Sequence, residues 1–400
     1  MSDTRKTTKP NVPNLRFPGF SGEWRQYTMG EITELFSRRN KKRTDYPMFS
    51  VTNTRGFVNQ QEQFEDREMK GEDISAYKIV SPGEFAYNPA RINVGSIARY
   101  EGEADCMISS LYVCFKANKE LVDSQLLLHI LKSPKMVYNY GINGEGGVRI
   151  YLFYPNFARI RVKLPSLEEQ REIASFLNLI EERIQIQNKV IEDCNTLEKE
   201  IQNQVFDKIH APLVPLSSIS QRITERNSAL ESDNVLTISA REGLVSQLEF
   251  FKKSVASENL SNYFLLHKGD FAYNKSYSSD YPWGAIKHLE RYDTGVLSPL
   301  YFCFRPNKEI VDTRYLQFFF DTKLWHKHIV NIAVEGARNH GLLNMAVGDF
   351  YTMPILLPTM NEQLAIAEKL SAFRKKKVAE ECIYRLLLLQ KQYLLKKLFV

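Results

Sequence analysis

The chain has 400 residues, of which 43% are hydrophobic and 25% are charged, and its formal net charge is +6. The length is typical of two or three domains, and the composition excludes a chain too polar to bury a core. The small basic excess is by itself weak evidence for nucleic acid binding. Residues 1–10 are polar and no apolar run is long enough to span a bilayer, so we expect neither a secretory leader nor membrane contact. The five cysteines form no CxxC pair, which favours a reducing cytoplasm over a disulfide or zinc framework.

Short strands and turns are predicted over residues 15–165, after a flexible tail at residues 1–14. Aromatic and β-branched residues at 111–115 predict a strand, and Ser81-Pro82-Gly83 predicts a turn. A helical segment is expected at residues 124–132. This mixture of elements indicates an α+β domain.

A long helix is predicted next, over residues 166–207. Ser166 at the N-cap and Glu169 three residues later have the spacing of a capping box. Apolar residues then recur at steps of three and four, which places them on one helix face. They are Ile173, Leu177, Ile180, Ile184, Ile191, Cys194, Leu197 and Ile201.

Residues 208–400 repeat this plan at a nearly constant offset. Residues 83–88 (GEFAYN) match residues 269–274 (GDFAYN), and residues 111–123 match residues 300–312. So many matches in the same order indicate an internal duplication. The second copy is predicted as a domain at residues 208–358, with a helical segment at residues 313–323.

A second long helix is predicted at residues 359–400, with Thr359 and Glu362 again at capping-box spacing. Neither long helix contains glycine or proline, so each can extend about 55–60 Å. A helix of this length with a narrow apolar stripe requires a partner helix. If a pseudo-two-fold axis relates the copies, the helices form an antiparallel coiled coil with a domain at each end. The alternative is two ordinary helices, each packed on its own domain. The second apolar stripe is predicted at Ile366, Leu370, Phe373, Ile383, Leu386, Tyr393 and Leu394.

No sequence motif for catalysis is present. The seven histidines include no HExxH, and there is no phosphate-binding lysine loop, methyl-donor loop or Asn-Pro-Pro-aromatic element. A metal-dependent nuclease needs clustered carboxylates. Asp66 and Glu68 with Lys70 could form part of such a site, but a single short acidic run is usually a solvated surface. We therefore expect a chain that is not an enzyme and holds no metal or cofactor of its own.

The two copies differ most in the loops that follow the shared Phe-Ala-Tyr-Asn, residues 89–96 and 275–284, and in residues 147–150 and 337–341. A common scaffold with different loops is what two readers of different DNA half-sites require. Arginine pairs with guanine and asparagine with adenine at the major-groove edge, whereas phosphate contact and loop structure are alternative roles. The candidates for DNA contact are Asn88, Arg91, Asn93, Arg149, Asn274, Lys275, Tyr277, Arg338 and Asn339, with Arg39 and Lys41 suited to phosphates or to a solvated surface.

Several segments follow one another in a known order: residues 15–24 (LRFPGFSGEW), residues 83–96, residues 269–284, and a Leu-Pro-x-Leu/Met-x-Glu-Gln start to each long helix. In this order they resemble the specificity subunits of type I restriction-modification systems. The resemblance covers essentially the whole chain.

The resemblance implies two target recognition domains, each reading one half of a bipartite double-stranded DNA site. It also implies that the long helices act as a ruler and dock two methyltransferase subunits. Those subunits would bind S-adenosylmethionine and methylate adenines, and two motor-nuclease subunits would complete the assembly. The spacer-core or docking positions would be Ile173, Leu177, Ile180, Ile184, Ile366, Leu370 and Phe373.

Two other functions are open on the sequence alone. The first is an enzyme, either a nuclease or a fused modification enzyme, and the missing motifs argue against it. The second is a coiled-coil scaffold that organises other proteins without binding DNA. A scaffold explains the long helices but not the divergent loops on a shared framework.

Overall fold

The computed structural model describes residues 11–60, 73–147, 150–239, 242–251, 259–276, 281–333 and 342–399. The chain divides into two compact units. Unit 1 comprises Met1–Lys189 with Cys382–Val400, and unit 2 comprises Val190–Glu381. Each unit therefore holds one copy of the repeat and a part of both long helices.

Unit 1 is built on short strands and short helices. Its strands are β1 (Arg25–Thr28), β2 (Thr33–Phe36), β3 (Met48–Thr52), β4 (Gly56–Asn59), β5 (Lys78–Val80), β6 (Phe85–Tyr87), β7 (Ile97–Arg99), β8 (Cys106–Ile108), β9 (Val113–Ala117) and β10 (Arg161–Leu164). They form the sheets β2-β9-β6-β7 and β4-β3-β8-β5 and the ladder β1-β10. The helices are α1 (Met29–Ile32), α2 (Ser124–Leu131), α3 (Pro134–Asn143) and α4 (Tyr154–Ala158), followed by the long helix α5 (Leu167–Asp207).

Unit 2 repeats this set of elements. Its strands are β11 (Leu213–Pro215), β12 (Ser220–Arg222), β13 (Leu236–Ser239), β14 (Gly243–Ser246), β15 (Phe264–His267), β16 (Phe271–Asn274), β17 (Ala285–His288), β18 (Thr294–Leu297), β19 (Phe302–Pro306) and β20 (Pro354–Leu356). The helices are α6 (Leu216–Ile219), α7 (Gln247–Phe251), α8 (Thr313–Phe320), α9 (His326–Ile332), α10 (Val347–Tyr351) and the long helix α11 (Met360–Leu398).

Strand pairing confirms the internal repeat. The sheet β12-β19-β16-β17 has the order of β2-β9-β6-β7, and the pairs β11-β20, β13-β14 and β15-β18 have counterparts in unit 1. The cores also correspond. Phe85 stacks on Phe115 with ring centroids 5.0 Å apart, and Phe271 stacks on Phe304 at 5.1 Å. The predicted α+β class with two similar domains is therefore confirmed.

The same hydrogen bonds attach the long helix to the domain in each copy. The side chain of Asp123 accepts from the backbone amides of the second and third residues of α2, and Asp312 does the same for α8. The amide group of Gln170 accepts from Asp123 N and donates to Leu121 O, and Gln363 repeats this with Asp312 and Ile310. Both glutamines are 1% exposed, so these contacts are fixed parts of the core.

The starts of the two long helices differ. At α11 the carboxylate of Glu362 accepts from Thr359 N at 2.9 Å, which completes the predicted capping box. At α5 the backbone amide of Glu169 donates to Ser166 Oγ at 3.4 Å, but the Glu169 carboxylate accepts two hydrogen bonds from Arg16 at 2.8 and 2.7 Å. The prediction of a full capping box was therefore wrong here, because the arginine of the N-terminal segment takes the carboxylate.

The long helices run antiparallel, as predicted. In unit 1, Glu181 of α5 pairs with Lys391 near the end of α11. In unit 2, Glu198 lies further along α5 and pairs with Arg374 and Lys377, which lie earlier in α11.

The predicted apolar stripe of α11 was partly wrong. Leu386 and Tyr393 are both 59% exposed, whereas Leu387, Leu394 and Leu398 are buried. One residue turns the side chain by about 100° around the helix, so an error of a single position exchanges core and surface. Leu197 of α5, which the sequence also placed on the buried face, is 46% exposed.

Candidate nucleic-acid interface

The loop after β6 is closed by its own asparagine. The side-chain oxygen of Asn88 accepts from Ala90 N at 3.0 Å, and Asn88 N donates to Ser96 O at 3.0 Å. This is an Asx turn, in which the asparagine side chain takes the place of a backbone acceptor. Asn88 therefore shapes the loop through its oxygen, a role that the sequence left open beside direct base contact.

The same loop presents Arg91 to solvent on a fixed base. Arg91 is exposed, whereas Ile92 beside it is fully buried and Asn93 is half-buried. The hydroxyl of Ser96 donates to Val51 O at 2.7 Å and ties the end of the loop to β3. Gly95 has φ +101°, a conformation that side chains disfavour. Arg91 is therefore the exposed cation of an otherwise anchored loop.

Unit 2 repeats the turn with a different cation. The side-chain oxygen of Asn274 accepts from Ser276 N at 2.9 Å, as Asn88 does in unit 1. Lys275 follows directly, and its ammonium lies 4.6 Å from the ring centroid of Phe302. Partial burial lowers the pKa of Lys275. The two copies thus share one type of turn but present different side chains. In unit 1 the turn is followed by a proline and an exposed arginine, and in unit 2 it is followed by a half-buried lysine.

The second divergent loop meets the first in each copy. Leu152 N donates to Pro89 O at 3.0 Å in unit 1, and Leu343 N donates to Lys275 O at 3.0 Å in unit 2. The segments that precede each long helix are therefore joined to the loops after β6 and β16 by one backbone hydrogen bond in each copy. The predicted site residues Arg149, Tyr277, Arg338 and Asn339 lie outside the described residues.

The basic run before β3 belongs to a loop that Asn40 holds. Asn40 is 1% exposed, and its side chain accepts from Thr44 N and donates to Thr44 O. Asn227 makes the same pair of contacts with Ser232 in unit 2. Arg39 and Lys41, on either side of Asn40, are exposed. The sequence alone does not reveal this structural role of Asn40, although Arg39-Asn40 matches Arg226-Asn227 across the repeat.

The predicted spacer and docking positions are mostly buried. Ile173 and Leu177 are each 2% exposed in the core of unit 1, with Ile180 packed against them, and Ile184 is also buried. In unit 2, Leu370 is buried, whereas Ile366 and Phe373 are half-buried. Ile173, Leu177 and Ile180 pack in the core of unit 1, and Ile366 and Leu370 pack in the core of unit 2. The apolar side chains exposed on the long helices are instead Leu179, Ile186, Leu197, Leu364, Val378, Ile383, Leu386, Leu389 and Tyr393.

Among the residues that the structure describes, no helix is long and apolar enough to cross a membrane. In the same part of the chain, no three His, Cys, Asp or Glu side chains are grouped as a metal site requires.

Comparison with known proteins points to one family. Residues 22–196 match the type I restriction modification DNA specificity domain. A curated relative from Methanocaldococcus jannaschii, a putative type I restriction enzyme MjaX specificity subunit, is 24% identical over 198 residues, which are 46% of this chain and 46% of the relative. The matched segment thus spans about half the length of that relative.

Solved structures extend the likeness to the whole fold. The S subunit of a type I restriction-modification system from M. genitalium aligns over 97% of this chain and 99% of its own, with 13% identity and a TM-score of 0.57. A chain from work on complex assembly and conformational transition of the type I R-M system aligns over 96% of this chain and 98% of its own, with 15% identity and a TM-score of 0.55. At these identities the likeness concerns the fold.

Proposed function

We propose that this chain, whose residues 22–196 match the type I restriction modification DNA specificity domain, is the specificity subunit of such a system. Each copy of the repeat reads one half of a bipartite duplex target. The observation that carries the proposal is the loop after β6 and β16, where the same asparagine turn holds different side chains. A scaffold protein without DNA contact has no use for such a difference.

The reading chemistry follows from the side chains that the loops present. The guanidinium of Arg91 can donate two hydrogen bonds to O6 and N7 of one guanine, and the ammonium of Lys275 can donate to the same edge. The anchored loops support this role because a loop that is already ordered loses less entropy on binding. Arg39 and Lys41 fit phosphate contacts, which provide affinity and salt dependence rather than sequence preference.

The long helices suit the role of a ruler. They have 41 and 39 residues without interruption, so each extends about 60 Å. A stiff antiparallel pair fixes the distance between two readers, and the unread gap in the DNA target then becomes a constant of the protein.

The exposed apolar side chains of the helices are our candidates for partner docking. In unit 1, Leu179 and Ile186 of α5 are 61% and 58% exposed, and Leu386 and Leu389 of α11 are 59% and 60% exposed. We place the docking surface at these side chains because contiguous exposed apolar surface marks a site that binds another protein. The partners we propose are two methyltransferase subunits, which bind S-adenosylmethionine and supply the chemistry, with motor-nuclease subunits in the full complex. The chain itself contributes recognition without catalysis, in the cytoplasm.

A selection experiment tests the function. The chain in complex with a methyltransferase subunit is mixed with a pool of random DNA duplexes, and the bound duplexes are sequenced over several rounds. We expect two short sequence elements separated by a fixed gap. Enrichment of one continuous element, or of none while the complex stays intact, contradicts the proposal.

The ruler is tested by shortening both helices by one heptad. Residues 187–193 of α5 and 379–385 of α11 lie between the ion pairs of Glu181 with Lys391 and of Glu198 with Arg374. Deleting both heptads shortens the pair by about 10 Å, which corresponds to a gap shorter by about 3 base pairs. An unchanged gap in the selected duplexes contradicts the ruler while leaving DNA recognition intact.

A further inference from the structure

Unit 2 contains a cluster of ion pairs where the two long helices meet the end of α8. Arg374 of α11 contacts Asp321, the C-cap of α8, at 2.9 Å and Glu198 of α5 at 3.2 Å. Lys287 contacts Asp321 at 2.6 Å, and Lys377 pairs with Glu198. Burial would raise the pKa of Asp321, but Lys287 and Arg374 outweigh it and hold that pKa below its usual value. Along the series Asp321, Arg374 and Glu198 the charges are therefore negative, positive and negative.

Unit 1 contains a cluster of opposite sign. Glu181 of α5 pairs with Lys391 of α11. Lys132, the C-cap of α2, lies three residues beyond His129, whose ring nitrogen is hydrogen-bonded to the side-chain oxygen of Asn178 on α5 at 2.8 Å, so the end of α2 lies beside this part of α5. Partial burial lowers the pKa of Lys132, and Lys391 acts in the same direction, whereas Glu181 opposes the shift. Along the series Lys132, Glu181 and Lys391 the charges are therefore positive, negative and positive.

The repeat makes these positions equivalent one by one. Lys132 and Asp321 are the C-caps of the matching helices α2 and α8. Gln170 and Gln363 align the long helices through identical hydrogen bonds. Glu181 and Arg374 each lie 11 residues beyond that glutamine, and Glu198 and Lys391 each lie 28 residues beyond it. The charge is therefore reversed at all three equivalent positions.

We propose that this reversal selects which long helix pairs with which. If α5 packed on α5 of a second copy of this chain in the same register, Glu181 would face Glu198. If α11 packed on α11 in that way, Arg374 would face Lys391. Each like-charged contact occurs twice in either dimer. Repulsion between the like charges therefore disfavours pairing of α5 with α5 and of α11 with α11. Only α5 with α11 satisfies every position.

The selection matters because the chain is a duplication. Two copies of one unit have helix surfaces similar enough to associate with their own kind, and α5 is synthesised before α11 exists. Opposite charges at equivalent positions keep unpaired α5 helices of two nascent chains apart until α11 arrives. This role is independent of DNA binding, so it does not stand or fall with the proposed function.

The first measurement concerns the ion pairs in the full-length chain. Glu181→Lys would place three cations together, and we expect the midpoint of thermal unfolding to fall by about 3 °C or more. The matched control is Glu182→Lys, because Glu182 is exposed on the same helix and the change in net charge is identical. Equal midpoints for the two variants would overturn the cluster in unit 1.

The second measurement concerns selection itself. The triple variant Lys132→Asp, Glu181→Arg, Lys391→Glu gives unit 1 the charges of unit 2, so we expect its unfolding midpoint to return close to that of the wild type. Positions 181 and 198 of α5 then carry opposite charges, and α5 can pair with α5. Wild type and variant are refolded from denaturant at increasing concentration and examined by light scattering after size exclusion.

We expect the wild type to return as monomer and the triple variant to form dimers whose fraction rises with concentration. A variant with the same three kinds of charge change at exposed positions of α5 (Glu182→Arg, Lys189→Glu, Lys199→Glu) should refold as monomer. If the triple variant refolds as monomer to the same extent as the wild type, charge reversal does not select the pairing.

Discussion

Gly95 closes the loop that carries Arg91, and its replacement by alanine gives the sharpest test of the reading loop. Its φ of +101° resembles the left-handed conformation that costs an ordinary residue about 1–2 kcal/mol. The new Cβ would also lie 3.1 Å from the carbonyl oxygen of Asn53, so the loop must shift. Alanine also lowers the conformational entropy of the unfolded chain, which offsets about 0.4–1 kcal/mol of the loss in folding free energy. This offset does not apply to DNA binding, which starts from the folded protein. We expect a folded variant whose affinity for the half-site read by unit 1 is about 5–30-fold lower, equivalent to about 1–2 kcal/mol.

The assay is fluorescence anisotropy with three duplexes: the full target, one with the first half-site scrambled, and one with the second half-site scrambled. The Gly95→Ala variant should bind the full target more weakly than the wild type. Scrambling the half-site that unit 1 reads should then change its affinity little, whereas scrambling the other half-site should lower it as in the wild type. Gly19→Ala is the control, because Gly19 has φ +94° and its added Cβ would meet nothing within 4 Å. Equal loss of sensitivity at both half-sites, or no loss at either, refutes the assignment of this loop.

The remaining predictions concern three other side chains or pairs. Arg91→Ala should cost about 1–3 kcal/mol at one base pair and relax the preference there, whereas a uniform loss across all sequences in a competition assay would identify a phosphate contact. Replacing Arg39 and Lys41 together by alanine should weaken binding to all duplexes and reduce the slope of log K against log salt by about 1.8; an unchanged slope would show that they lie off the DNA. Arg16→Ala leaves the carboxylate of Glu169, 2% exposed, without its cation, which we expect to cost about 3–5 kcal/mol in chemical unfolding. Adding Glu169→Gln should recover much of that loss, and no recovery would show that Arg16 acts through packing alone.

Much of the scaffold was predictable because the two copies of the repeat have the same residue types at many equivalent positions. The helix starts at Asp123 and Asp312, the glutamines that anchor the long helices, and the shared Phe-Ala-Tyr-Asn all occur twice in the same order. A duplicated motif can be recognised without knowledge of packing, since a structural element that is predicted in one copy is also expected in the other. For the same reason the α+β class and the two long helices could be predicted before any contact was known.

Packing decided the elements that the sequence reading missed or misplaced. The helix α3 (Pro134–Asn143) was not predicted, although Ser133 at its N-cap and proline at its first position are a recognised start signal. In α11 the buried face runs through Leu387 and Leu394, but neighbouring apolar residues on the exposed side made the register ambiguous. Only the partner surface settles which of two adjacent leucines faces inward.

The site shows the same limit at the level of single side chains. Asparagine can read adenine, and it can also form an Asx turn with its own backbone. Asn88 and Asn274 were predicted as contacts to DNA, and in the structure their side-chain oxygens close the loops. A sequence cannot separate these roles, because the deciding hydrogen bond depends on the backbone conformation that follows. A match of asparagine across two copies that differ around it indicates a shared loop structure, and contact of either side chain with DNA stays a prediction.

The central claim is that two different readers in one chain specify one bipartite target. It is tested most directly by mapping adenine methylation across the genome of cells that express this chain with a matching methyltransferase subunit, against cells that express that subunit alone. The account predicts a new motif of two short elements with a constant gap, present only when the chain is present. A continuous motif, or identical methylation with and without the chain while the two proteins co-purify, would contradict it.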